Sequence, residues 1–280
     1  MAEKRIKYLF LAGGILIYLA FLMVYVNSSY PLVGHDYRYF IPRLLDTHIH
    51  YLKNGLSIQW FTPSFGGGLP AYHNPQQIQF SLTQFLLFIF NPWWAIMFSA
   101  AIYTSIGYFA CYRLGRDILG FNWMASILGA LFFIGSGFYI QHLASGHVNF
   151  LVFPLSALFY YVLFSQQWKP YLRGFLLGLM LATFIHSAGF YIIIILALSF
   201  LILVPLVYLL QPNWRDLQGV AKSLAIAILV ALLLSGGKLY AIFGFMQNFP
   251  RVITDQYYDH FLQSLVGIIM QYISVPLFTI

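Results

Sequence analysis

The stretch from Gly174 to Leu210, GFLLGLMLATFIHSAGFYIIIILALSFLILVPLVYLL, decides how this chain is folded. Read without a break, it is one long bent apolar helix. Broken at His186-Ser187-Ala188-Gly189, it is two. A histidine beside a serine and a glycine sits poorly in mid-bilayer, where polar groups lack water partners. The basic residues test the choice. With the N-terminus inside and the break made, the cytoplasmic segments hold Lys4, Arg5, Lys7, Arg113, Arg116, Lys169, Arg173, Arg215 and Lys222. The outer side holds Arg38, Arg43, Lys53, Lys238 and Arg251. Every cytoplasmic connection then carries at least two basic residues, as the positive-inside rule requires. Without the break, Arg215 and Lys222 fall outside.

Working outward, hydropathy predicts seven spans: Tyr8–Val26, Trp93–Tyr112, Met124–Ile140, Phe150–Phe164, Gly174–Ile185, Phe190–Leu210 and Ser223–Leu239. Composition agrees, since 61% of the 280 residues are apolar and only 8% charged, with a mean hydropathy of +0.78. A soluble domain carries about 25% charge. The expectation is an all-α integral membrane protein built as a single module over residues 1–280. The net charge of +7 reports loop placement and implies no nucleic-acid partner. Cys111 is the only cysteine, which excludes an internal disulfide and a cysteine-rich metal site. The basic start leads into an apolar run with no Ala-x-Ala site after it, and reads as an uncleaved signal anchor.

The first loop, roughly 27–79, is long and polar, and loops of this length usually carry function. Phe40, Leu44, Leu45 and Ile49 have helical spacing, which predicts a short amphipathic surface helix over Tyr39–Asn54. The stretch Pro63-Ser-Phe-Gly-Gly-Gly-Leu-Pro70 breaks regular structure. A second surface or re-entrant segment is expected over Gln79–Phe90, stopped by Asn91-Pro92. All eight histidines fall on the outer side of this topology. Interfaces suit histidine, so that pattern alone does not separate a belt from a polar cavity. Residues 240–280 form an outer-face tail, and the chain reads as the front part of a longer protein.

Asp36, with His35 and Arg38 beside it, stands a few residues beyond the first span. A neighbouring arginine favours its ionised form, and an ionised carboxylate there can accept a proton from a hydroxyl. The same aspartate is equally well placed to cap the helix starting near Tyr39. Spacing does not choose between the two. His142 and His147 are placed on a tight loop between the third and fourth spans, as hydrogen-bonding groups or interface histidines. Trp60 and Tyr72 are available to stack on a sugar. Asp46, His48 and His50 lie two apart, which on a helix does not put them on one face, so no metal is expected there. Gly66-Gly67-Gly68 lacks the Lys-Ser/Thr ending of a phosphate loop.

These features resemble the GT-C superfamily of polytopic glycosyltransferases, most closely its bacterial YfhO-like branch. The resemblance is carried by Gly34-His35-Asp36, by Trp60-Phe-Thr-Pro-Ser-Phe-Gly-Gly-Gly-Leu-Pro70, and by Asn74-Pro75-Gln76. Gly146-His147 with Pro154, and Lys238 followed by Phe249-Pro250-Arg251, extend it along the chain. It implies a polyprenyl-phosphate sugar donor, a glycan, lipid or protein acceptor, and transfer at the outer face of a bacterial inner membrane. It implies that Asp36 is the general base. Some relatives carry an acidic pair at this point, whereas here Tyr37 follows Asp36, and no metal or other cofactor is expected. The leaving lipid phosphate calls for cations, for which Arg38, Lys238 and Arg251 are the candidates; His35 and His147 are further candidate ligands. Two other functions compete. A transporter or flippase of lipid-linked sugars would line a path through mid-bilayer with ionisable groups. A non-catalytic membrane scaffold would tolerate changes at Asp36.

Overall fold

Backbone polar groups in a lipid-facing apolar run have no water to bond, so such runs become helices. The computed structural model describes residues 2–27, 36–211 and 216–249. His35, Arg215, Arg251 and the tail beyond Phe249 lie outside the described residues. The helices are α1 (Ala2–Asn27), α2 (Tyr37–Asn54), a distorted turn α3 (Ser64–Gly67), α4 (Leu82–Leu86), α5 (Pro92–Arg113), α6 (Trp123–Ile134), α7 (Gly137–Ser145), α8 (Leu155–Phe164), α9 (Pro170–His186), α10 (Phe190–Leu210) and α11 (Leu217–Asn248). A π turn, Leu114–Ile118, extends α5, and a short 3₁₀ turn, Val148–Phe150, precedes α8. The only sheet among the described residues is a two-residue hairpin, β1 (Phe61–Thr62) with β2 (Leu69–Pro70).

Five helical stretches are long and apolar enough to cross a membrane: Arg5–Val26, Pro92–Ile118, Trp123–Ser145, Phe190–Leu210 and Leu217–Asn248. Two shorter apolar helices, Val148–Phe164 and Pro170–His186, stand where the fourth and fifth spans are expected. The chain is therefore an all-α protein of membrane composition.

The predicted break is present. α9 ends at His186, Ala188 takes a positive φ of 59°, and α10 begins at Phe190. The packing gives it a geometric meaning. Ser223 Oγ donates to Pro170 O, and His186 Nε2 contacts Leu234 O, so α9 and α11 run in the same direction. α10, with 21 residues and a length of roughly 30 Å at 1.5 Å per residue, makes the return between them. The parallel pair is close because its seam is small. A Cβ on Gly174 would lie 2.6 Å from Ile226 Cβ, and one on Gly178 would lie 2.5 Å from Val230 Cβ. Ser223, Ala227, Ala231 and Ser235 recur every fourth residue on α11 and are buried. In lipid, such small-residue seams hold helices together by close packing.

Three local expectations differ from the structure. The buried stripe of α2 is Tyr37, Phe40, Leu44, Thr47 and Tyr51, while Leu45 and Ile49 are exposed. The face is set by packing on α5 and the loop behind it rather than by apolar spacing alone. The segment 79–90 holds only the short helix α4, whose N-cap Ser81 accepts from Gln84 N–H. The third apolar stretch runs to Ser145, interrupted at Gly135-Ser136, so His142 lies on α7 and not on a loop. Asn91, expected as a stop, is also a start: its side chain accepts from Trp94 N–H and Pro92 opens α5.

Candidate functional site

Asp36 occupies the N-cap position of α2, yet its side chain accepts no capping hydrogen bond from that helix. Its backbone N–H donates to Ser145 O at 3.2 Å, which pins the start of α2 to the end of α7. The close approach depends on Gly146. That residue has φ of 85°, and a Cβ there would lie 2.4 Å from the Tyr37 nitrogen. Tyr37 adds a hydrogen bond from its hydroxyl to Leu143 O at 2.6 Å. Burial raises the Tyr37 phenol above its ordinary pKa, so it stays a neutral donor.

The free carboxylate turns to His147, whose Nε2 is 3.2 Å from Asp36 Oδ2. His147 Nδ1 lies 2.5 Å from His142 Nδ1. One proton per ring satisfies this chain, with His142 donating to His147 and His147 donating to Asp36. His142 is stacked on Phe150, ring centroids 3.7 Å apart, which fixes the far end. Both members of the Asp36–His147 pair keep a third or more of their side-chain surface exposed, so a hydroxyl can reach them. Spacing left the base and cap readings of Asp36 open; the side chain does not cap.

A second constellation gathers Trp60, Tyr72 and Lys238. The Trp60 and Tyr72 rings meet edge to face at 5.3 Å, and Trp60 also touches the His73 ring at 5.2 Å. Lys238 of α11 is fully buried, its amine donates to Gln77 O, and it lies 5.7 Å from the Tyr72 ring centroid. It is turned inward under the loop, not outward to a headgroup region. Burial raises the Tyr72 phenol above its ordinary pKa. A cavity of about 550 Å³ opens beside this group, lined by Trp60, His73, Gly237, Tyr240 and Phe249 among others. A series of contacts lies between the two constellations: Asn149, two residues past His147, donates to Ala188 O, and His186 packs edge-on against Phe80, which meets the Tyr72 ring.

Arg38 projects from the exposed side of α2. His35 and Arg251 lie outside the described residues. Asp46, His48 and His50 do not converge. The Asp46 carboxylate accepts from Gln59 Nε2, Thr62 Oγ1 and Ser64 Oγ at 2.7, 3.0 and 2.7 Å, tying the β hairpin to α2. His48 packs on Phe88, and His50 bonds Ser57 and Asn54. Sequence reading missed this hairpin network and the Arg43 guanidinium stacked 4.0 Å from the Tyr39 ring. The run of Gln59, Gln77 and Gln79 was a readable signal, because buried amides must find partners.

No family model, no curated protein and no solved structure matches this chain.

Proposed function

We propose that the chain is an integral membrane glycosyltransferase that moves a sugar from a polyprenyl-phosphate donor to an acceptor hydroxyl at the outer face. In this reading the five long helices and the two shorter ones make seven crossings, with the N-terminus in the cytoplasm of a bacterium. The observation that carries the proposal is the Asp36–His147 pair: a carboxylate at a helix start, not spent on its own helix, held by backbone contacts from α7 and partly open. The resemblance read from the sequence names the chemistry.

Asp36 takes the proton of the acceptor hydroxyl as its oxygen forms a bond to the anomeric carbon. The bond from that carbon to the phosphate oxygen breaks, and the polyprenyl phosphate leaves with the electron pair. His147 positions the carboxylate, and His142 fixes the tautomer of His147. Trp60 supplies an exposed aromatic face for the sugar. Lys238 places a buried amine beneath the loop, and Arg38 acts as a surface cation for the phosphate.

The test is turnover of the purified protein in lipid nanodiscs with a panel of polyprenyl-phosphate sugars. Asp36→Asn is expected to lower transfer by about 10²–10⁴-fold, the usual worth of a general base, with the melting temperature unchanged. His147→Gln is expected to lower it less, because the carboxylate remains and only its positioning partner is lost. Normal turnover in Asp36→Asn refutes the base assignment. Absence of transfer from every donor in the wild type refutes the function.

A further inference from the structure

The far ends of α1 and α5 hold a cavity that the proposed transfer does not use. Lys7 and Tyr8 of α1 face Tyr112 and Arg113 of α5 across about 430 Å³, and Arg116 and Asp117 complete its rim. It is remote from Asp36. The ring of Trp93, at the start of α5, packs 5.2 Å from Tyr37, and Tyr112 lies roughly 30 Å further along the helix at 1.5 Å per residue.

Three cations and one carboxylate line this cavity, and the carboxylate is engaged. Asp117 Oδ2 is 2.5 Å from Arg113 Nε and accepts from the Tyr161 hydroxyl at 3.4 Å. Arg116 spends one N–H on Phe121 O at 2.7 Å. The Lys7 amine faces the Tyr112 and Tyr8 rings at 5.6 and 6.0 Å, and among the described residues it pairs with no carboxylate. Tyr112 is only 5% exposed, and its hydroxyl is buried without a hydrogen-bond partner. The positive-inside rule accounts for lysines and arginines at this end. It does not account for a cavity among them whose lining includes Tyr112, the residue that carries the unpartnered hydroxyl. A buried hydroxyl without a partner is costly, and a ligand oxygen would satisfy it. The rim is also shaped by the π turn, closed by Leu119 N–H to Leu114 O at 3.0 Å; such turns are rare and concentrate at functional sites.

We infer that this cavity is a binding site for a phosphate ester. Lys7 and Arg116 face its oxygens, and the Tyr112 hydroxyl donates to one of them. Leu11 and Phe109 give the cavity an apolar wall suited to the stem of a lipid. Basic pockets between membrane helices are general binding places for anionic headgroups. The same chemistry fits a soluble phosphate, and the two sources separate experimentally.

The full chain in phosphatidylcholine nanodiscs is titrated with dioctanoyl phosphatidic acid in one arm and inorganic phosphate in the other, and the melting temperature is followed. A saturable rise is expected. Tyr112→Phe, which keeps the ring, is expected to weaken apparent affinity about tenfold, the worth of one hydrogen bond to a charged group. Lys7→Gln and Arg116→Gln are expected to weaken it about tenfold or more. Lys222→Gln, an exposed cation on α11, is expected to leave it unchanged. A response to phosphatidic acid alone assigns a lipid headgroup, and a response to both assigns a free phosphate. The inference is overturned if neither probe shifts the transition, if Lys7→Gln and Tyr112→Phe both bind like wild type, or if Lys222→Gln weakens binding as much as they do. None of these readouts depends on sugar transfer, so the site and the proposed activity stand or fall separately.

Discussion

Replacing Arg173 by methionine removes a guanidinium that ties three helices together. Arg173 is fully buried, and it donates to Ser165 O at 3.1 Å, to Leu163 O at 3.4 Å and to Asp216 Oδ2 at 2.6 Å. Leu163 and Ser165 belong to the end of α8, where carbonyls lack helical partners. Asp216 starts α11, and accepts from Gly219 N–H as its cap. Methionine keeps the bulk of the stem and deletes the donors. Leaving Ser165 O unsatisfied costs about 1–3 kcal/mol, and the longer bond to Leu163 O adds less. The ion pair adds at most about 1 kcal/mol, because Asp216 is 32% exposed and water screens it. Removal of the unpartnered Arg173 Nε–H returns part of this. The net is about 2–4 kcal/mol, or roughly 5–15 °C in melting temperature for a chain of this size. Asp216→Asn keeps the cap, since asparagine serves as well there, and is expected to cost about 1 kcal/mol or less. The assay is tryptophan fluorescence during heating in one detergent at a fixed scan rate, because membrane proteins commonly unfold irreversibly. If Arg173→Met melts within a degree of wild type, or Asp216→Asn is equally damaging, the clamp does not work as described.

Three further outcomes are expected. Gly178→Val places a branched side chain where Val230 already stands, and should cost about 1–3 kcal/mol by the same thermal assay; Gly236→Ala, with open space around it, should cost nothing measurable. Gly146→Ala combines a positive φ, worth about 1–2 kcal/mol of strain, with a clash against the Tyr37 nitrogen. It should lower both melting temperature and sugar transfer, by moving Asp36 off His147. Lys238→Met replaces a buried amine held by one carbonyl, so thermal stability should hold or rise while transfer falls.

The class of the fold was legible because hydropathy and the distribution of lysine and arginine report directly on lipid and water. The break at His186 followed from the same physics, and the parallel packing of α9 on α11 accounts for it independently. The seam itself was readable and overlooked. Gly174-x-x-x-Gly178 and the four-residue rhythm of Ser223, Ala227 and Ala231 are packing signals, but a hydropathy scale treats small residues as neutral. Gly146 was likewise a visible helix end, and would have moved His142 onto α7. Whether the outer-side histidines form an interface belt or share a cavity was not resolvable from sequence. Asp36 was identified, but its partner His147 arrives on a different helix pair. Lys238 was read as an outer-side cation for the phosphate, because nothing near it in sequence shows that Gln77 lies above it. Contacts between distant segments are set by packing, and a pattern along one segment does not contain them.

The bond from Lys238 to Gln77 spans 161 residues, and this separation has a consequence for biogenesis. The loop carrying Trp60, Tyr72 and Gln77 leaves the ribosome early, while the helix that supports it from beneath is inserted many spans later. His147 arrives in between. The loop is thus made first and finished last: its side-chain amides find partners within the loop and α2, but the Gln77 carbonyl and the Tyr72 ring stand without Lys238 until α11 is in place. Chains halted before α11 should therefore display this loop to proteases and chaperones on its side of the membrane, and completion of one late helix is what seals it.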